Sequence, residues 1–259
     1  MDVAMNDRTV YELFSTTEAI GIPQMDVTDK ETKMLGLMIG TLGLPEMGTS
    51  FIQQVLVDAK PKNFADLMQI SGLTHGTDVW LGNAQDLIKN GICDISHVVG
   101  TRDGIMLDLI RYGVDKNLSF KIMEMVRKNK KGKPIPEDMV TAMREKNVPE
   151  WYIDSLRKIK YMFPKAHAAA YVMSAIRLGW YKVHQPVAFY CAILTVAPDG
   201  FDATVVARGR RAVVETMQDI NARWNDATQK EKDLFGAMQF ANECMLRNIK
   251  FLPVSLEHS

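Results

Sequence analysis

From Val10 onward, apolar residues return at intervals of three and four, the period of helices that turn one face inward. Asn6-Asp7-Arg8-Thr9 supplies a cap for a first helix with the stripe Val10, Leu13 and Phe14, expected to end near Gly21-Ile22-Pro23. Residues 24–44 are ambiguous, because Gly36, Gly40 and Gly43 interrupt their apolar positions. After Pro45, a helix carrying Phe51, Ile52, Val55 and Leu56 on one face runs to Lys60-Pro61. Asn63 then caps a shorter helix through Leu67 and Ile70, predicted to stop at Gly72.

A glycine-punctuated loop follows over residues 71–83, holding His75 and Trp80 and lacking the spacing of a P-loop. Helical patterns continue over 84–90, over 102–112 up to Gly113, and from Asp115 to Lys128 with Leu118, Ile122, Met125 and Val126 inward. Two more span 137–146 and 149–162, the second burying Trp151, Ile153, Leu156 and Ile159 in part. A long helix starts at Lys165 and should end near His184-Gln185, since Pro186 disfavours helix at the residue before it. Val187 to Val196 forms an apolar helix, and Ala197-Pro198-Asp199-Gly200 is a turn and the clearest boundary. The tail holds two amphipathic helices, 202–223 and 228–247, then the extended stretch from Phe251 to Leu256. No period-2 run reaches strand length, so the predicted architecture is all-α.

The chain has 259 residues, enough for one large domain or two. Apolar content of 47% and charged content of 24% are those of an ordinary globular protein. Lys+Arg and Asp+Glu both number 31, so nucleic-acid binding must be argued from where the cations lie. Cys93, Cys191 and Cys244 are widely spaced and suggest a reducing compartment. No apolar leader or membrane-length apolar run is present, and the expected location is cytoplasmic, with no membrane partner.

Candidate chemistry gathers between Lys158 and Tyr171. Pro164 suits a helix's first turn, where its missing N–H costs nothing. A helix beginning there points unpaired N–H groups, the positive dipole end and Lys165 at one spot, an arrangement that favours a phosphate. His167 and Tyr171, four apart, share a face. The same pattern also describes a plain solvated helix start with a tyrosine at core spacing. The strongest basic run is Arg127-Lys128-Asn129-Lys130-Lys131-Gly132-Lys133, readable as a solvated loop or as a clamp on phosphates. A second cluster at Arg157, Lys158, Lys160 and Lys165 favours the clamp.

Reaction centres are absent from the pattern. A polymerase palm or nuclease needs carboxylates holding two metals about 3.5–4 Å apart, and the chain has no Asp-x-Asp pair. Cys93 and His97 lie four apart but lack a partner pair at zinc spacing. Cys93 with His75 or His97 is a nominal nucleophile pair, though a free cysteine is more often a small buried residue. The residues describe binding equipment with no catalytic group and no metal ligand.

Three stretches resemble one known family, the Gram-positive-type replicative DNA polymerase III alpha subunit, or PolC. They are residues 75–84 (His75-Gly76-Thr77-Asp78-Val79-Trp80-Leu81-Gly82-Asn83-Ala84), 148–155 (Val148-Pro149-Glu150-Trp151-Tyr152-Ile153-Asp154-Ser155) and 158–172. The likeness runs through most of the chain and weakens over the last fifty or so residues. It implies a multi-helix fingers domain of a C-family DNA polymerase with a short helical tail: residues 1–20 as the exit from the palm, 21–197 as fingers, and 198–259 as a linker toward a duplex-binding region. The chain would then be a piece of a much larger enzyme, inactive alone.

Carried across by that resemblance, the function is template-directed addition of dNTPs to a primer 3′ end, with Mg2+ held by palm aspartates outside this chain. Lys165 matches a triphosphate-contacting lysine, Tyr171 would lie against the sugar or base, and His167 would hydrogen-bond a phosphate. Arg102, Arg127 and Lys128 occur in matching segments as phosphate or template contacts, and the two basic clusters make Lys130, Lys131, Lys133, Arg157, Lys158 and Lys160 the expected DNA contacts. Partners would be the primer-template, the incoming dNTP and, through the full-length enzyme, the sliding clamp and other replisome proteins. Two departures stand out: Thr101-Arg102-Asp103-Gly104 replaces the family's usual Cys-Arg-Asp-Asp, and the loop at Lys130–Pro134 is longer. The rival reading is a free-standing helical nucleic-acid-binding or regulatory protein without catalytic activity.

Overall fold

The computed structural model describes residues 3–129, 131–196 and 200–252. Among them the fold is all-α, with fourteen α-helices and a single isolated bridge between Thr77 and Tyr161. The chain divides into two compact units, one of residues 58–174 and one of residues 1–57 with 175–259.

The unit 58–174 contains α4 (Phe64–His75), α5 (Gln85–Lys89), α6 (Arg102–Arg111), α7 (Lys116–Val126), α8 (Glu137–Glu145), α9 (Glu150–Lys158) and the first half of α10 (Lys165–His184). The starts of α4, α6 and α7 are capped by side chains that accept from the first free amides: Asn63 from Asp66, Thr101 from Gly104, Asp115 from Asn117 and Leu118. Inward faces bring Leu67, Ile70, Ile105, Leu109, Ile122, Val126, Val140, Ile153 and Leu156 into one core, all at most 1% exposed. A side chain such as Ile122 or Ile153 contributes about 1.5–3 kcal/mol by leaving water.

Gly72 does not end α4, as its sequence context predicts; the helix runs on to His75. The glycine serves packing, because a Cβ there would stand 1.9 Å from the carbonyl oxygen of Gly100. The helix expected over 149–162 stops at Lys158, where Ile159 turns extended and buries completely. On α7, Met123 and Ser119 are buried while Leu118 and Met125 are only half-buried.

The other unit contains α1 (Arg8–Glu12), α2 (Lys30–Leu35), most of α3 (Ser50–Ala59), the second half of α10, and α11 (Pro186–Val196), α12 (Ala203–Ala207), α13 (Arg210–Ala222) and α14 (Gln229–Leu246). The first helix is one turn rather than a run to Gly21; Asp7 caps it, and turns with a short 3₁₀ stretch at Glu18–Ile20 follow. The ambiguous residues 24–44 resolve into α2 and a buried turn region with Leu37, Met38, Ile39, Leu42 and Leu44 in the core. Gly179 of α10 lets Val10 and Leu13 approach to 3.1 Å of where a Cβ would sit.

The expected helix 202–223 is two helices, broken at Gly209, whose φ of +87° no L side chain adopts readily. Thr228 and Glu231 form a reciprocal capping box at the start of α14. The turn expected at 197–200 falls largely on residues 197–199, outside the described residues, as does the stretch 253–256. Inside this unit Lys182, with no exposed side-chain surface, bonds the carbonyl of Leu42 at 2.7 Å and pairs with the equally buried Glu243 at 2.7 Å. Tyr190 donates to the same Glu243 oxygen at 2.6 Å, and Arg247 donates to the Lys182 carbonyl. Such a pair offsets its desolvation only through this set of bonds.

Candidate functional site

The extended stretch Ile159–Pro164 ahead of α10 is where three distant segments fasten. Lys160 donates its N–H to the Thr77 carbonyl at 3.1 Å, and Thr77 donates to the Tyr161 carbonyl at 3.0 Å. Met162 donates to the carbonyl of Arg127 at 3.2 Å. Arg102 donates its N–H to the Phe163 carbonyl at 3.1 Å. Backbone bonds therefore bring the loop after α4, the end of α7 and the start of α6 against one short segment. That is why Arg102, Arg127, Lys128 and Lys165, spread over more than sixty positions, belong to one neighbourhood.

Helix α10 begins directly after Pro164, whose carbonyl accepts from Ala168 at 3.2 Å. The Lys165 N–H donates to the Asp103 carboxylate at 2.9 Å, so one orphan donor of the helix start already has an anion. Ala166 and His167, next on the first turn, donate to no described acceptor. Among the described residues the Lys165 ammonium makes no hydrogen bond or ion pair. Lys165 helps line a cavity of about 230 Å³ with Gln69, Thr101, Asp108 and Arg111. Burial pushes the Asp108 carboxyl above its usual range, against the Tyr152 hydroxyl, Arg111 and Lys165, which favour its charge.

Arg127 grips Glu124 through two guanidinium bonds, one of 2.7 Å. That grip holds Glu124 below the usual carboxylate range, with Lys128 and Arg102 adding to the positive field on it. Arg102 also stands 3.6 Å from Asp103. Three cations thus converge on one carboxylate near the helix start.

The basic loop is less open than its composition suggests. Asn129, which is buried, donates to the Lys133 carbonyl at 2.8 Å and accepts from the Lys133 N–H at 2.8 Å, closing the turn. Lys131 and Lys133 are exposed on it; Lys130 lies outside the described residues. The other expected DNA contacts have partners within the protein. Arg157 pairs with Asp154 at 2.8 Å, Lys158 bonds the Gly82 carbonyl at 2.8 Å, and Lys160 pairs with Asp78 at 2.6 Å. Exposed pairs of this kind are worth about 0–1 kcal/mol, little enough for a phosphate to compete.

A run of rings lies along the first two turns of α10. His167 sits 4.5 Å from Tyr171 between centroids, as their spacing predicts, and edge-on to Phe163 at 4.9 Å. His75, from the end of α4, stacks on Phe163 at 4.9 Å and 28°. Both His167 and Tyr171 are exposed. Sequence reasoning missed Asp103, Glu124, Asn129 and the His75–Phe163 stack. A carboxylate two residues into a capped helix was a visible signal for Asp103; the others depend on tertiary contacts.

The cysteine readings find no support in geometry. Burial, with Asp94 alongside, pushes the half-buried Cys93 thiol up to about 11, so it is protonated at neutral pH. His97 bonds Asp94 at 2.7 Å. Among the described residues no group of three or more His, Cys, Asp or Glu side chains is placed to hold a metal, and no helix is long and apolar enough to cross a membrane.

Comparison with known proteins bears on what this neighbourhood serves. Residues 1–147 match the bacterial DNA polymerase III alpha subunit finger domain. Over 257 residues the chain is 45% identical to the DNA polymerase III PolC-type proteins of Staphylococcus aureus strains MW2 and USA300. The alignment covers 99% of this chain and 17% of those relatives, so the chain spans about a sixth of their length.

Proposed function

The chain belongs to the bacterial DNA polymerase III alpha subunit finger-domain family, and from that premise we propose that it binds the incoming dNTP and template in a replicative, PolC-type DNA polymerase. The observation that carries the reading is the start of α10: a Lys165 ammonium and Ala166 and His167 amides without partners among the described residues, and Arg102, Arg127 and Lys128 close by.

Such a start suits a triphosphate. Its phosphates accept from amides and ammonium together, and fixed cations stabilise the charge that develops on leaving pyrophosphate. His167 donates to a phosphate oxygen and Tyr171 packs on sugar or base, one turn further along the same face. Arg102, Arg127 and Lys128 contact phosphate or template. Lys130, Lys131 and Lys133, with Arg157, Lys158 and Lys160, steer the DNA backbone. Closure of this region on a matched base pair would act as an induced-fit gate.

Mg2+ is held in this reading by palm carboxylates outside this chain and supplies the two-metal chemistry of the whole enzyme. In this reading residues 1–20 lead out of the palm, 21–197 form the fingers and 198–259 lead toward duplex-binding elements. The primer-template, the sliding clamp and other replisome proteins are partners of the whole enzyme, working in the cytoplasm. Photocrosslinking tests the proposal: an azido-dATP should label the segment from Lys158 to Tyr171 in the polymerase. Labelling confined to other segments would overturn it.

A further inference from the structure

We infer that His75 is a positioning residue for the nucleotide-contacting face of α10, acting through Phe163. The inference rests on the nucleotide reading of Lys165 and Tyr171. His75 is the last residue of α4, far from α10 in sequence, and its ring is itself held in place. The Nδ1 atom lies 2.7 Å from the Ser71 carbonyl and 3.2 Å from the Thr74 hydroxyl. A carbonyl only accepts, so Nδ1 carries the proton and donates, which fixes the plane of the imidazole. The backbone beyond it is equally constrained. A Cβ on Gly76 would stand 2.4 Å from Val79 and 2.9 Å from the Tyr161 carbonyl, so the chain turns there without a side chain.

The fixed imidazole offers its face to Phe163, two residues ahead of Lys165. Phe163 is half-buried, and its carbonyl is held by the Arg102 N–H. Its ring stands perpendicular to that of His167, which lies against Tyr171. Each ring in the series leans on the previous one, and only the first is fixed by hydrogen bonds to a helix backbone. Removing the His75 ring leaves Phe163 with an open face, and His167 and Tyr171 lose the surface that sets their approach to a ligand. Because ligand binding needs that arrangement and the chemical step occurs elsewhere, the loss falls on KM more than on kcat.

The test uses single-nucleotide incorporation by the polymerase carrying this chain. His75→Leu fills the space without an aromatic face and should raise the dNTP KM about three- to tenfold, the worth of one aromatic pair, with kcat within about twofold. His75→Phe restores the face and should return KM to within about twofold of wild type. Phe163→Leu should reproduce the His75→Leu defect, and the double variant should be no worse than either single. A wild-type KM in His75→Leu, or equal defects in His75→Leu and His75→Phe, overturns the inference. Should His75→Leu fail to fold, a wild-type KM in Phe163→Leu overturns it instead. Lys165→Ala separates the two readings. If it impairs incorporation while His75→Leu does not, only the role of His75 falls; if it leaves kinetics unchanged, the nucleotide reading falls.

Discussion

The backbone N–H of Lys165 donates to the carboxylate of Asp103 at 2.9 Å, so α10 begins on an anion supplied by the neighbouring α6. This bond ties the helix start to α6, while the next two amides and the Lys165 ammonium have no partner among the described residues. The start of α10 thereby already has one carboxylate against its positive end.

Removing the ammonium is the direct test of that arrangement. Lys165→Ala should lower kcat/KM for dNTP incorporation by about 10- to 100-fold, the range of one charged hydrogen bond. Single-turnover incorporation at varied dNTP concentration measures it.

The basic loop should act through counterion release. Lys131→Ala and Lys133→Ala should each weaken primer-template binding about equally across sequences and reduce the slope of log K against log salt by about one unit. Fluorescence anisotropy from 50 to 200 mM salt reads the slope, and an unchanged slope would remove the loop from the interface.

Gly72→Ala should destabilise the protein although alanine is the better helix former. The added methyl would lie 1.9 Å from the Gly100 carbonyl, so a backbone must shift. The expected loss is about 3 kcal/mol in urea unfolding, at the upper end for overpacking.

Breaking the buried pair from one side should be costly. Lys182→Met leaves Glu243 charged and enclosed, a loss of about 3–5 kcal/mol, whereas Lys182→Met with Glu243→Leu should recover much of it. A double-mutant cycle by urea unfolding measures the coupling.

The α14 cap should make stability depend on acid pH. The Thr228 N–H, then Arg223 and the Thr228 hydroxyl, hold Glu231 at about 2, below its ordinary 4.5. A lowered folded value means the unfolded chain takes up the proton first. This contribution is complete above pH 4.5 and is lost as pH falls from there toward 2. Glu231→Gln should therefore lower the melting temperature at pH 6 and change it less at pH 3.

The helices were legible where sequence-local physics decides them. Asp7, Asn63, Asp115 and Thr228 cap as side chains of their type do, and the prolines at 164 and 186 bracket α10. Failures came where tertiary contact outweighed the local signal. Gly72 looked like a stop and is a contact point, while Gly209 looked tolerable within a helix and breaks it. Ile159 continued a helical stripe, but bonds to Thr77 and Arg127 draw the following residues into an extended segment. The surroundings of the α10 start divide the same way. The Pro164 helix start and the shared face of His167 and Tyr171 follow from local pattern, whereas Asp103, Glu124 and His75 come near through tertiary bonds and a ring stack that no spacing encodes. Lys182 and Glu243, sixty-one positions apart, gave no local sign of pairing.

The reciprocal pair of bonds between the Asn129 side chain and the Lys133 backbone has a consequence for handling the protein. A run of lysines on an exposed turn is an obvious target for trypsin, which needs its substrate chain to unfold into the cleft. Here the Asn129 side chain bonds the Lys133 backbone twice, and Pro134 follows Lys133, making that peptide bond a poor substrate. Asn129→Ala should open the tie and turn the lysine run into the first place the chain is nicked.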